Sequence, residues 1–138
     1  MKAIQIILLL SMISLTTHAQ NNCDPQGNDS SALCIDYLYS AAGYDKLKAA
    51  KYCRQNVSVE CIDHLYSAAG YDKLKAASYC QGGVRVSCIE FMYSAAGYNK
   101  VKAAKFCQGG VSVECIEKLY SASGYNKVKA ANACAGRD

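Results

Sequence analysis

From residue 31 to the end of the chain, apolar and polar positions alternate with the period of a helix, never with the period of a strand. In "VECIDHLYSAA", residues 59–69, Cys61, Ile62, Leu65, Tyr66, Ala68 and Ala69 fall on one arc at about 100° per residue, and Asp63, His64 and Ser67 on the other. In "KLKAASYC", residues 73–80, Leu74, Ala76, Ala77, Tyr79 and Cys80 share an arc, while Lys75 and Ser78 face away. Lys73 leans toward the apolar side in the first turn, where its stem can lie along the core and its amine reach water. Punctuation agrees. Ser58 is placed to cap the first helix, Gly70 to end it in a left-handed turn, and Asp72 to cap the second; Asn99 and Asn126 replace Asp72 further on. Gly82-Gly83 closes the second helix, and Gln55-Asn56 holds that place one module earlier.

The pattern repeats every 27 residues. Cys34, Cys61, Cys88 and Cys115 keep that spacing, as do Cys53, Cys80, Cys107 and Cys134, with Tyr39/66/93/120, Gly43/70/97/124 and Tyr44/71/98/125 between them. Four modules result, 31–56, 57–83, 84–110 and 111–138, each a pair of helices too short to bury a core alone. Stacking them buries a continuous core. The expected fold is therefore all-α: an αα-solenoid of four helical hairpins stapled by disulfides.

The ends of the chain differ from this. Residues 1–19, "MKAIQIILLLSMISLTTHA", have one early lysine, an apolar run from Ile4 to Leu15 and a small-residue close, the form of a secretory signal peptide. The run is too short and too poorly flanked for a spanning helix. Residues 20–30 form a polar leader with the only proline, Pro25. Asn22 precedes Cys23, which argues against a lipoprotein anchor. The expected product is secreted or periplasmic, without a membrane span.

Nine cysteines in a small exported chain point to a disulfide framework with one thiol left over. Two pairings fit. One joins cysteines within a module, Cys34–Cys53, Cys61–Cys80, Cys88–Cys107 and Cys115–Cys134, and leaves Cys23 available for a disulfide-linked dimer. The other crosses the connectors, Cys23–Cys34, Cys53–Cys61 and so on. The last module favours the first: Tyr52, Tyr79 and Phe106 give way to Ala133, yet Cys134 is kept where no further module could bond it. Neither CxxC nor a Cys/His cluster occurs, so no metal or cofactor is expected.

The Cys-x7-Cys connectors, with "LY", "G" and "KAA..YC", resemble the cysteine-rich, secreted form of the Sel-like αα-repeat family. The similarity covers all four modules, though each is shorter than that family's repeat and its Leu-Gly pair in the first helix is absent. The resemblance implies protein interaction or scaffolding. It also implies disulfides across the seven-residue connector, against the pairing that Ala133 favours.

Catalysis finds little footing. His64, the one histidine beyond residue 19, sits where the sister modules have Tyr37, Phe91 and Lys118, and no Ser-x-x-Lys occurs. Binding is the better expectation, with an unknown protein or glycan as partner. Repetition turns single residues into rows: Lys48, Lys75, Lys102 and Lys129 on one side, Asp36, Asp63, Glu90 and Glu117 on another. These are solvated faces or, for the lysines, a strip for an acidic partner. Tyr66 and its equivalents read as core; Tyr44, Tyr71, Tyr98 and Tyr125 read either as packing back on the turn or as a stacking surface. The formal charge of +4, which becomes +3 without Lys2, and a total of three arginines disfavour nucleic acid. The alternative function is a small cationic secreted effector acting on membranes or other cells. Asn28 and Asn56 open glycosylation sequons that matter only in a eukaryotic secretory pathway.

Overall fold

A computed structural model describes residues 30–137; the expected signal peptide over residues 1–19, and residues 20–29 with Cys23 and the Asn28 sequon, lie outside the described residues. Among the described residues there are eight short helices and no strand: α1 (Ser30–Leu38), α2 (Lys46–Tyr52), α3 (Val59–Leu65), α4 (Lys73–Tyr79), α5 (Val86–Met92), α6 (Lys100–Phe106), α7 (Val113–Tyr120) and α8 (Lys127–Cys134). Each helix packs most closely on its hairpin partner. Odd helices then stack on odd and even on even, from α1 through α7 and from α2 through α8. The chain is an αα-solenoid.

The caps are local and follow from residue type. Asp45, Asp72, Asn99 and Asn126 precede the even helices, and each side-chain oxygen accepts from the backbone N–H three residues on, at 2.9, 3.0, 2.9 and 3.1 Å. Ser58 and Ser112 do the same for α3 and α7 at 3.2 Å. Arg85 stands in that place before α5 and makes no side-chain cap.

The first helix of each hairpin is shorter than its apolar arc suggested. α3 stops at Leu65, and residues 66–70 continue as turns, because Tyr66 and Gly70 donate to carbonyls three residues back, Asp63 and Ser67. Gly70 N–H to Ser67 C=O at 3.1 Å and Tyr71 N–H to Tyr66 C=O at 2.9 Å together form a Schellman closure. This closure needs a left-handed glycine, and Gly70 supplies it at φ 76°.

Disulfides join the two helices of each hairpin: Cys34–Cys53, Cys61–Cys80, Cys88–Cys107 and Cys115–Cys134. The connector pairing implied by the Sel-like resemblance is not formed. With eight cysteines bonded inside the hairpins, Cys34 is not available to Cys23. The first three bonds are buried, and Cys115–Cys134 is half-buried, beside a core of Leu38, Ile62, Leu65, Ile89, Met92 and Ile116, against alanines of the even helices such as Ala76, Ala77, Ala103 and Ala104. Small residues on the even helices let the two layers approach closely while the odd helices supply the bulk.

Three positions depart from the arcs. Tyr39, Tyr66, Tyr93 and Tyr120 are half-buried and not core, since they lie at the helix ends where the closure turns away. Ala68 is exposed for the same reason, and His64, expected on the outer arc, is half-buried against the next repeat.

The connectors stack as backbone. Gln55 C=O accepts from both Gly82 and Gly83 N–H, at 3.0 and 2.9 Å, and Gly82 C=O accepts from Gly109 and Gly110 N–H, at 3.0 and 2.8 Å. The row ends at repeat four, where Gly136 and Arg137 N–H turn back to Ala133 and Asn132. Arg137 instead donates through its guanidinium to Gln108 and Phe106 carbonyls at 3.1 and 2.9 Å.

Candidate functional site

The closure that ends each odd helix also fixes the turn tyrosines. Tyr44, Tyr71, Tyr98 and Tyr125 all lie at φ 58–59°, left-handed backbone that a bulky residue rarely adopts. Each packs edge-on against the tyrosine five residues earlier, Tyr39, Tyr66, Tyr93 or Tyr120, with ring centroids 5.4–5.5 Å apart. Such a contact normally accompanies a Schellman closure. Packing does not hide the rings, which remain 72–73 % exposed. The turn tyrosines therefore brace the closure, as the packing reading expects, while their rings stay open to solvent.

The lysine row is exposed as well; Lys48, Lys75, Lys102 and Lys129 all point to solvent one turn into the even helices. The structure brings the two rows together. A groove of about 960 Å³ between the second and third repeats is lined by Tyr98 and Lys102, together with Tyr79, Tyr93, Lys100, Lys105 and Phe106. The same groove recurs between the third and fourth repeats at about 520 Å³, lined by Tyr120, Tyr125 and Lys127. Ala133 and Asn132 are the equivalents of Phe106 and Lys105, and neither they nor Lys129 line this later groove, so it lacks the aromatic wall and the row lysine of the first.

No protein-family model, curated protein or solved structure matches the chain. Function therefore has to be argued from the geometry of this face and of the junctions beneath it.

The junctions between repeats were not legible in the rows. Tyr37 donates its hydroxyl to Asp63 of the next repeat, and Lys73 lies over its ring at 4.0 Å. The hydrogen bond to Asp63, with burial, pushes the Tyr37 phenol up to about 12 from its ordinary 10. His64 takes the same place at the second junction, its Nε2 3.3 Å from the Glu90 carboxylate. Burial and the nearby Lys100 hold the imidazole below its ordinary pKa, so it is neutral at pH 7 and its contact with Glu90 is not an ion pair. At the third junction Lys127 lies over the Phe91 ring at 3.9 Å and donates to the Phe91 carbonyl at 3.3 Å. The three junctions share a theme: an aromatic ring of one repeat is met by groups reaching back from the next, Asp63 and Lys73 at the first, Glu90 at the second and Lys127 at the third.

That theme explains the variable position 37/64/91/118, where three aromatic residues are followed by Lys118, the one with no repeat above it. It also places the carboxylates Asp63 and Glu90 at contacts between repeats, with Asp36 left to pair with Lys46 at 3.7 Å. Among the described residues no cluster of three or more His, Cys, Asp or Glu is arranged to hold a metal ion. No described helix is long and apolar enough to cross a membrane.

Proposed function

We propose that this protein is an exported, non-catalytic interaction module that binds an acidic glycan or protein along the face carrying the turn tyrosines and lysines. The observation that carries this reading is the row of four left-handed, largely exposed tyrosines. A Schellman closure needs an apolar contact at this position, but it does not need an aromatic ring standing almost free in solvent. Tyr98 shares its groove with Lys102 and Lys105, so an aromatic platform and cations converge on one ligand-sized space. Aromatic faces stack on sugar rings or apolar side chains, and the lysines select carboxylates or sulfates.

Export suits the four disulfides, which belong to an oxidising compartment. The Sel-like resemblance, with interaction as its implied role, agrees with this function although its disulfide pairing does not.

The test is retention on an immobilised polyuronate, with an uncharged glucan as control. The wild type is expected to bind the polyuronate and to be released by salt, since exposed charges are screened within about 10 Å at 0.1 M. Replacing Lys48, Lys75, Lys102 and Lys129 by Gln should lower affinity at least about tenfold with unchanged helicity, because these exposed charges contribute little to folding. Tyr71→Ser with Tyr98→Ser should lower it too, at a stability cost of about 1 kcal/mol per lost ring pair. Retention untouched by either set would refute the proposed face. Leakage of anionic vesicles without polyuronate binding would support the cationic effector instead.

A further inference from the structure

The lysine that reaches back from each even helix is engaged at the first and third junctions. Lys73 lies over the Tyr37 ring at 4.0 Å, and Lys127 lies over the Phe91 ring at 3.9 Å while donating to the Phe91 carbonyl. Lys100 is their equivalent at the middle junction, but the residue in the ring's position there is His64, whose Nε2 faces Glu90. Among the described residues, Lys100 lies over no phenyl or phenol ring and within ion-pair distance of no carboxylate. It borders the groove between the second and third repeats instead. A half-buried ammonium without a counter-charge, at the wall of a ligand-sized space, is a place for an anion.

The side chains around Lys100 also set this groove apart from its sisters. Lys102, Lys105 and Phe106 line it. One repeat earlier Ser78 holds the place of Lys105, and its hydroxyl is turned to the Lys75 carbonyl at 2.7 Å. One repeat later Asn132 and Ala133 hold the places of Lys105 and Phe106. The tyrosines recur in all four repeats, whereas three lysines meet Phe106 at the middle junction alone.

We propose that this groove is the anchoring subsite for a short segment of acidic sugar, and that His64 creates it by withholding the ring that would otherwise engage Lys100. The subsite rests on the acidic-glycan reading above and narrows it: binding is centred between the second and third repeats and is not shared evenly along the row. A uronate ring suits the walls, because it carries a carboxylate for the lysines and a C–H face for Tyr98 and Phe106. A glutamate side chain supplies the charge but no ring. The volume of about 960 Å³ lies at the upper end of small-ligand pockets, roughly 300–1,000 Å³, and so takes a short oligosaccharide. His64 does not line the groove and acts as a positioning residue.

The experiment is calorimetric titration of the oxidised protein with a galacturonate trimer at low salt. The wild type is expected to bind one trimer per chain. Lys100→Gln should lower affinity at least about tenfold, whereas Lys73→Gln should change it less than about twofold. His64→Phe copies Phe91 of the next repeat; it should draw Lys100 onto the new ring and weaken binding about fivefold. The ε-protons of Lys100 should then move upfield in NMR spectra, a ring-current shift that loss of folding would not produce. His64→Leu removes the imidazole without supplying a ring, and should bind more tightly than His64→Phe does. Equal losses at Lys73 and Lys100, several trimers per chain, equally tight binding of a glutamate trimer, or identical behaviour of the two His64 variants would each overturn the proposal. Retention on immobilised polyuronate without binding of the trimer would also overturn it, and would leave the proposed function standing. Failure to bind either would remove both.

Discussion

Adding a reductant to the folded protein is expected to abolish most of its helical circular dichroism at ordinary temperatures. Each bond closes a loop with a sequence separation of 19 residues. Constraining the unfolded chain over such a loop contributes about 3 kcal/mol. Four of them approach the whole stability of an ordinary domain, roughly 5–15 kcal/mol. The helices have no reserve with which to compensate, since helices of seven to nine residues are marginal in water without packing. The oxidised protein, by contrast, should stay helical well above common melting temperatures. Helicity that is unchanged in reductant would show that stacking alone holds the solenoid.

Truncating Ile89 to alanine is expected to cost about 4 kcal/mol in urea unfolding with the disulfides intact. Ile89, on α5, lies at the middle of the stack with no solvent exposure, where α5 packs on its hairpin partner α6 and on α3 and α7 of the neighbouring repeats. Removing its outer carbons loses their transfer free energy and leaves a cavity that rigid, cross-linked hairpins cannot close. Ile35→Ala, the same change at the first repeat, should cost roughly half as much. Ile35 is only half-buried because no repeat precedes it. Equal costs at the two positions would contradict a one-dimensional stack, in which each repeat draws stability from both neighbours.

Much of the fold was legible because repetition supplied its own controls. The caps at Asp72, Asn99 and Asn126 rest on residue type and spacing, which local chemistry decides almost alone. The disulfide pairing was legible through Ala133, a residue altered where a neighbour is missing. The same logic applied to Lys118 would have found the aromatic junctions, since it too breaks a series at the last repeat.

Helical arcs were less informative about depth. They put Tyr66 on the correct side of its helix, yet a Schellman closure swings that end outward and leaves the ring half-buried. Nor could they show that Tyr98 and Lys102 share a groove, because that depends on how far one hairpin is offset from the next. The left-handed backbone of the turn tyrosines had no sequence signal beyond the glycine before them. Two consecutive left-handed residues, the second of them aromatic, is a combination that propensities argue against.

The account rests on hairpins that are closed units, each stapled to itself and joined to its neighbours by packing, junction contacts and connector hydrogen bonds. Peptide mapping of the unreduced protein tests this most directly. Digestion between the cysteines should release Cys61 bonded to Cys80 and Cys88 bonded to Cys107. Recovery of Cys53 bonded to Cys61 and Cys80 bonded to Cys88 would contradict it, because the staples would then run between repeats and the hairpin would no longer be the unit of the fold.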